Sequence, residues 1–168
     1  METQRMQFTI DPVKVEDREA IIDIFNHYVE NSFAAYPENR VPHQFFEMFL
    51  KMTEGYPFMA ARDDDGRILG FAMLRPHNQM AAFSSAAEIS YFIAPEYVGL
   101  GIGTALQERL LHEAHKMAIT TILAGISSLN SNSLAFHKRR GFVECGRFVK
   151  IGRKWGQEFD VVWMQMMI

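Results

Sequence analysis

Residues Glu88 to Met117, EISYFIAPEYVGLGIGTALQERLLHEAHKM, decide the fold. Ile89 to Ala94 is an apolar run rich in β-branched and aromatic residues, which reads as a strand. Val98-Gly99-Leu100-Gly101-Ile102-Gly103 is a glycine-rich turn. From Ile102, apolar residues recur at Leu106, Leu110 and Ala114, with Glu108, Arg109 and Glu113 off that stripe. That is the pattern of an amphipathic helix. A strand that hands a glycine loop to a helix start is a phosphate-holding device. The first helical N–H groups have no internal partners, the dipole is positive there, and glycine lets the backbone come close to an anion. A tight strand-to-helix turn that binds nothing accounts for the loop equally well.

Outward from this stretch, Met6 to Val13 reads as a short strand, and Val15 to Asn31 as a helix opened near Asp17 and carrying Ile21, Ile22, Ile24, Phe25, Tyr28 and Val29. Ser32 to Val41 is an irregular loop. Pro42 suits the first turn of a second helix that runs to about Thr53. Phe58 to Arg62 and Arg67 to Leu74 flank Asp63-Asp64-Asp65-Gly66, and Asp-Gly is a strong hairpin signal. Arg75 to Ala86 is a second loop. After the central strand and helix come a strand at Thr121 to Ser127 and a helix at Asn132 to Arg140, stopped by Gly141. Phe142 to Ile151 and Phe159 to Gln165 alternate as an antiparallel pair around a turn at Gly152 to Gln157. The order β-α-α-β-β-β-α-β-α-β-β is that of an α/β (α+β) chain, a mixed sheet with helices on its faces.

Composition narrows the class. The 168 residues suffice for one domain with a full core. With 22% charged and 48% apolar residues the chain reads as soluble and globular. A net charge of −3 offers no electrostatic case for nucleic acid. There is no apolar run long enough for a membrane span, and METQRMQFTID lacks a hydrophobic signal core. A single cysteine, Cys145, rules out an internal disulfide framework and a cysteine-based zinc site. These features predict a cytoplasmic protein.

Three phosphate patterns compete for the glycine loop. A Walker loop needs Gly-Lys-Ser/Thr, and the chain has no Gly-Lys pair. A dinucleotide fingerprint fails at its last glycine, which is Thr104 or Leu106 depending on the start, and no acid follows the next apolar run to hold a ribose. The third is Gln/Arg-x-x-Gly-x-Gly/Ala, which Val98 to Gly103 matches except at its first position. That is the pyrophosphate loop of the GCN5-related N-acetyltransferases (GNAT), and a second motif agrees. Asn130-x-x-Ser133-x-x-x-His137-x-x-x-Gly141-Phe142 is similar to the family's Asn-x-x-Ala/Ser-x-x-x-Tyr/His-x-x-x-Gly-Phe/Tyr. Within the family the chain resembles the phosphinothricin and L-amino acid N-acetyltransferases. Asn26-His27-Tyr28 with Ser32 resembles their Asn-His-Tyr-x-x-x-Ser/Thr segment. Glu88, 13 residues before Gly101, stands where they have a strand glutamate, and Lys154-x-Gly156-x-x-x-Asp160-Val161 resembles their C-terminal motif. The likeness spans about residues 7–166 and implies one GNAT domain over residues 1–168, with a mostly antiparallel seven-stranded sheet flanked by about four helices.

The resemblance implies acetyl-CoA as cosubstrate, no metal, a small-molecule amine as acceptor and a homodimer. In it, Glu88 is the general base, its pKa raised by burial at the head of an apolar strand; read from the residues alone, it is an edge residue or an ion-pair partner. A backbone N–H of the strand, at about Tyr91, Phe92 or Ile93, faces the thioester oxygen. Val98, Gly99, Leu100, Gly101, Ile102, Gly103 and Thr104 hold the pyrophosphate. Asn130 and Ser133 bond the pantetheine, cap the following helix, or do both. His137 lies near the acetyl sulfur, as an acid or as a positioning group. His27 organises structure, and His112 with His115 occupies a solvated helix face rather than a metal site. Cys145 reads as core without a base, which favours direct transfer over a cysteine intermediate.

The substrate side departs from the family. The aromatic after the first helix, Tyr36, is followed by Pro37 rather than an arginine, and Asn78, Met80 and Phe83 stand where the relatives have lysine, arginine and tyrosine. The obvious bidentate partners for an acidic substrate are gone, leaving Arg75 and Arg40 as replacements. Tyr36, Phe83, Met80 and Met73 suggest a more apolar pocket, with Tyr36, Arg75 and Phe83 as substrate contacts. Outside small-molecule acetylation, the residues leave room for a protein or peptide N-acetyltransferase, or for a non-catalytic acyl-CoA-binding module that tolerates loss of Glu88.

Overall fold

The computed structural model describes residues 6–168, so the first five residues of the stretch METQRMQFTID lie outside it. β1 (Thr9–Pro12) leads through α1 (Arg18–Asn31) and α2 (Phe46–Met52) to a meander of β2 (Phe58–Arg62), β3 (Ile68–Pro76) and β4 (Ala86–Ile93). Then follow α3 (Ile102–Lys116), β5 (Thr121–Ser127), α4 (Ser131–Arg139), β6 (Val143–Lys154) and β7 (Gln157–Met167). The strands form one sheet in the order β1-β2-β3-β4-β5-β7-β6. Only the β4–β5 pair is parallel. The expected element order and mixed sheet are both present.

Each sheet face has its own apolar layer. The α3 stripe Ile102, Leu106, Leu110 and Ala114 is buried against Leu69, Leu74, Ile89 and Ile122. On the other face α1 lays Ile21, Ile22, Phe25 and Val29, and α2 lays Phe46 and Phe49, against Phe58, Phe71 and Met73. Each such side chain stabilises the fold by roughly 1.5–3 kcal/mol on burial. Asn26, buried in α1, exchanges two hydrogen bonds with the backbone of Val41, and Tyr28 donates its hydroxyl to the Ile93 carbonyl. Asn26 and Tyr28 thus do the organising work expected of His27, which packs edge-on against Tyr28.

Several boundaries differ from expectation. β1 is shorter than Met6 to Val13, because its ladder with the short β2 runs only from Thr9 to Pro12. The Asp17 carboxylate accepts the Lys14 N–H at 2.7 Å and two Arg62 bonds, which tightens Val15–Asp17 into a 3-10 turn before α1. A similar turn, His43–Phe45, separates Pro42 from α2. The C-terminal turn shrinks to Trp155 and Gly156, both at positive φ (50° and 75°), as a two-residue hairpin of primed type requires. β7 is an interior strand with Val162 and Met164 buried, whereas β6 is the exposed edge. Cys145 lies on β6 and is exposed, not core.

The correction with most bearing on function is at Arg75. Instead of opening a loop, it continues β3, which runs to Pro76. Leu74 sends its N–H to Pro57, so the nitrogen of residue 76 points to the side where β2 has already ended. A proline there removes no ladder bond. The extension sets Arg75 directly opposite Glu88.

Candidate active site

β4 and β5 pair through three positions, Ala86, Ala87 and Glu88 with Thr121, Ile122 and Leu123, and then part. β4 continues along β3 and β5 along β7, so a cleft opens between two strands whose facing edges are unpaired. Ala94 donates its N–H to Leu69, which fixes the alternation along β4. The Ile89 N–H closes the last rung of the β4–β5 ladder, and the N–H groups of Tyr91 and Ile93 turn toward the cleft, while Phe92 belongs to the β3 side. The expected N–H donor from Tyr91 to Ile93 is thus available at Tyr91 and Ile93. Ser90, Gly125, Ser127, Asn130, Ser133 and His137 also line the cleft.

At the far end of β4 lies the glycine loop. Gly99 and Gly101 adopt left-handed φ of 83° and 86°, and Gly101 serves as the N-cap of α3. Among the described residues, the backbone N–H groups from Gly99 to Thr104 donate to no carbonyl. Such a row of converging donors at a helix start suits a pyrophosphate. Val98 and Leu100 are exposed beside it. The loop therefore needs no side chain at position 98 to present its donors, and the residues present fit acetyl-CoA.

α4 starts just beyond the cleft. Asn130 Oδ1 accepts the Ser133 N–H at 3.3 Å, which is the capping reading; its Nδ2 makes no hydrogen bond among the described residues. His137 is buried at 3% exposure between Tyr91, Phe136 and Phe142. Its Nδ1 donates to the Ser133 carbonyl at 2.7 Å, and its Nε2 is buried without a partner among the described residues. Burial pushes the imidazole pKa below 6.5, with the Ser133 carbonyl pulling the other way. The ring is neutral near pH 7 and its proton is already committed, an arrangement that favours positioning over proton donation. Burial likewise pushes the neighbouring Tyr91 phenol far above 10, opposed by Gln107 and the Arg140 charge.

A pH signature follows. The unfolded chain takes up the His137 proton near pH 6.5, and the folded protein takes it up only at lower pH. Between the two values the unfolded state binds more protons, so stability is full above 6.5 and falls as pH drops below it. Denaturant midpoints from pH 7.5 to 5 should show this fall in the wild type and a shallower one in His137→Asn. Parallel profiles would refute the assignment.

Glu88 is the last paired residue before the cleft opens, with its side chain 13% exposed. It is not the isolated carboxylate expected at the head of an apolar strand. Oε2 accepts from Arg75 Nε at 2.9 Å and Nη2 at 2.5 Å, and Oε1 lies 3.1 Å from His77 Nδ1. Both readings of Glu88 therefore meet in one place, an ion-pair partner at the cleft mouth. His77, which the sequence reading passed over, packs edge-on against Phe83 and Trp163. Tyr36 stacks on Phe159, within electrostatic reach of Arg75. Tyr36, Arg75 and Phe83 thus gather round Glu88. Arg40 does not, because it pairs with Glu30 and Asp23 on the surface. Met73 also drops out, buried at 2% exposure beneath α1.

Lys154 supports this rim from below. It is fully buried, and its Nζ donates to the carbonyls of Val29, Ser32 and Ala35 at 2.6–2.7 Å. Its charge satisfies the end of α1 and the start of the Tyr36 loop, and Trp155 covers it at 4.1 Å.

A parted parallel strand pair beside an anion-binding helix start defines an acyl-CoA-dependent transferase site. The Acetyltransferase (GNAT) family model matches residues 21–142, and the chain belongs to that family of N-acetyltransferases. An L-methionine sulfoximine/L-methionine sulfone acetyltransferase of Pseudomonas aeruginosa is 28% identical over 163 residues, covering 96% of this chain and 95% of its own. A phosphinothricin N-acetyltransferase of Alcaligenes faecalis is 31% identical over 170 residues, covering 98% and 85%. The crystal structure of a phosphinothricin acetyltransferase from Sinorhizobium meliloti in complex with acetyl-CoA superposes with a TM-score of 0.89 at 28% identity, covering 97% of this chain and 89% of its own.

Proposed function

We propose that the whole chain is one acetyltransferase domain that moves the acetyl group of acetyl-CoA to the primary amine of a small molecule. The acceptor is an amino acid or an analogue of the methionine sulfoximine or phosphinothricin type. The observation that carries this reading is Glu88 at the mouth of the parted strands, beside backbone N–H groups directed into the cleft. The donors of Gly99 to Thr104 hold the pyrophosphate, while the Val98 N–H is already given to the Pro95 carbonyl, and Asn130 Nδ2 is open to a pantetheine amide. Glu88 takes one proton from the ammonium group. The free amine attacks the acetyl carbon directly, without a cysteine intermediate. The N–H groups of Tyr91 and Ile93 stabilise the negative charge that develops on the carbonyl oxygen. The C–S bond breaks and the departing thiolate takes the second proton of the nitrogen. Glu88 then returns its proton to water, so each turnover yields amide, CoA thiol and one proton. His137 positions Ser133 at the cleft wall.

The test is release of CoA thiol from acetyl-CoA across L-amino acids, methionine sulfone and sulfoximine, phosphinothricin and simple amines. A selective acceptor supports the reading. No turnover, with acetyl-CoA still raising the melting temperature, would replace it with the peptide-acetylating or binding-module reading.

We place this activity in the cytoplasm, where a reducing environment keeps the exposed thiol of Cys145 free. We also propose a homodimer, supported by the edge strand β6. There Val143, Phe148, Val149 and Ile151 are each more than half exposed, and the ladder is interrupted between Phe148 and Gly152. An apolar edge of this length calls for a cover. A monomer mass by light scattering at all concentrations would remove the dimer.

A further inference from the structure

We propose that Arg75 and Glu88 form a two-pole lock that a zwitterionic acceptor opens. The carboxylate of an α-amino acid replaces Glu88 on the Arg75 guanidinium, and the freed Glu88 oxygen takes the proton of the adjacent ammonium. The proposal rests on the acetyltransferase reading and adds what selects the acceptor and what frees a Glu88 oxygen to meet it.

The geometry carries it. Arg75 and Glu88 are direct cross-strand partners, so their side chains leave the same face of the sheet side by side. Both guanidinium bonds converge on the one oxygen, Oε2. Those two bonds occupy Oε2, so that oxygen can meet the ammonium of an acceptor only once Arg75 has changed partner. The pair is also asymmetric in access. The Arg75 side chain is 36% exposed and that of Glu88 13%, so an arriving anion meets the cation first. Among the described residues Arg75 has no other acidic partner within salt-bridge distance. An incoming carboxylate exchanges like for like on Arg75, so the guanidinium never goes unpaired. In an α-amino acid the ammonium is attached one carbon from that carboxylate, so it is delivered beside Glu88 in the same event. A simple amine brings no anion and leaves Glu88 on Arg75. His77 is the positioning residue of the exchange. Its contact is to the other oxygen, Oε1, and the Phe83 and Trp163 rings brace it, so Glu88 stays in place while Arg75 changes partner.

The test compares matched acceptors, L-phenylalanine with phenethylamine and L-methionine sulfone with its decarboxylated amine. The wild type should favour the amino acid by roughly 100-fold in kcat/KM, the scale of a bidentate charge-assisted contact. Arg75→Met should lose about that factor on the amino acid and gain on the amine, inverting the preference. Arg75→Lys should recover part of the amino-acid activity. Retained stabilisation by acetyl-CoA reports that each variant is folded. Equal wild-type rates on both acceptors, or an equal loss on both in Arg75→Met, would overturn the lock and leave the acetyltransferase reading standing. Failure of the wild type to acetylate any amine would overturn both.

Discussion

Glu88→Gln lowers kcat by roughly two orders of magnitude or more while acetyl-CoA continues to bind, on the usual contribution of a general base. The substitution preserves shape. The glutamine oxygen still accepts from Arg75 in the place of Oε2, and the amide nitrogen in the place of Oε1 donates to the His77 tautomer whose Nδ1 carries no proton, so the strand pair and the cleft mouth keep their geometry. It removes the group that can carry the ammonium proton away. The pyrophosphate donors lie at the other end of β4, in the Gly99–Thr104 loop, outside the reach of the change. Thiol release under saturating amine measures the loss, and thermal stabilisation by acetyl-CoA measures retained binding. Turnover equal to the wild type would remove Glu88 from the reaction.

Lys154→Met destabilises the fold by about 3 kcal/mol or more, since it leaves buried carbonyls at Val29, Ser32 and Ala35 without their donor. Methionine keeps most of the volume, which makes the lost ammonium the main change. For a chain of this length that corresponds to a fall in melting temperature of roughly 10 °C. The same change loosens the loop bearing Tyr36 and the stack of Tyr36 on Phe159. KM for the amine should therefore rise more than kcat falls, and KM for acetyl-CoA should hold. An unchanged melting temperature would show that Lys154 is not the fastening point of this loop.

Element order, the glycine loop and Asn130 were legible because each rests on local chemistry. Periodicity marks α3, positive φ demands glycine at 99 and 101, and a side-chain cap needs only four consecutive residues. The Arg75–Glu88–His77 group was not legible because it depends on strand register. Pro76 looks like a strand end, and only the early finish of β2 makes a proline harmless there. Even with β3 extended to Pro76, only the observed β3–β4 register sets Arg75 opposite Glu88. Lys154 stands in a legible motif, but its three acceptors lie more than a hundred residues away and leave no local trace. Cys145 was misplaced because strand alternation cannot tell an edge strand from an interior one. Tyr36 and Phe83 were placed at the site through family resemblance, and the stack on Phe159 and the brace of His77 are the physical reasons they sit there.

The parted strands have a consequence for amide exchange. The middle of a sheet is ordinarily its most protected region, opening only with global unfolding. Here the Tyr91 and Ile93 amides sit on a central strand and yet have no ladder partner on the cleft side. They exchange with solvent as edge amides do, while their Phe92 neighbour, turned to β3, stays slow. This odd–even alternation of deuterium uptake along one strand marks the line where the two halves of the sheet are joined by three residue pairs alone.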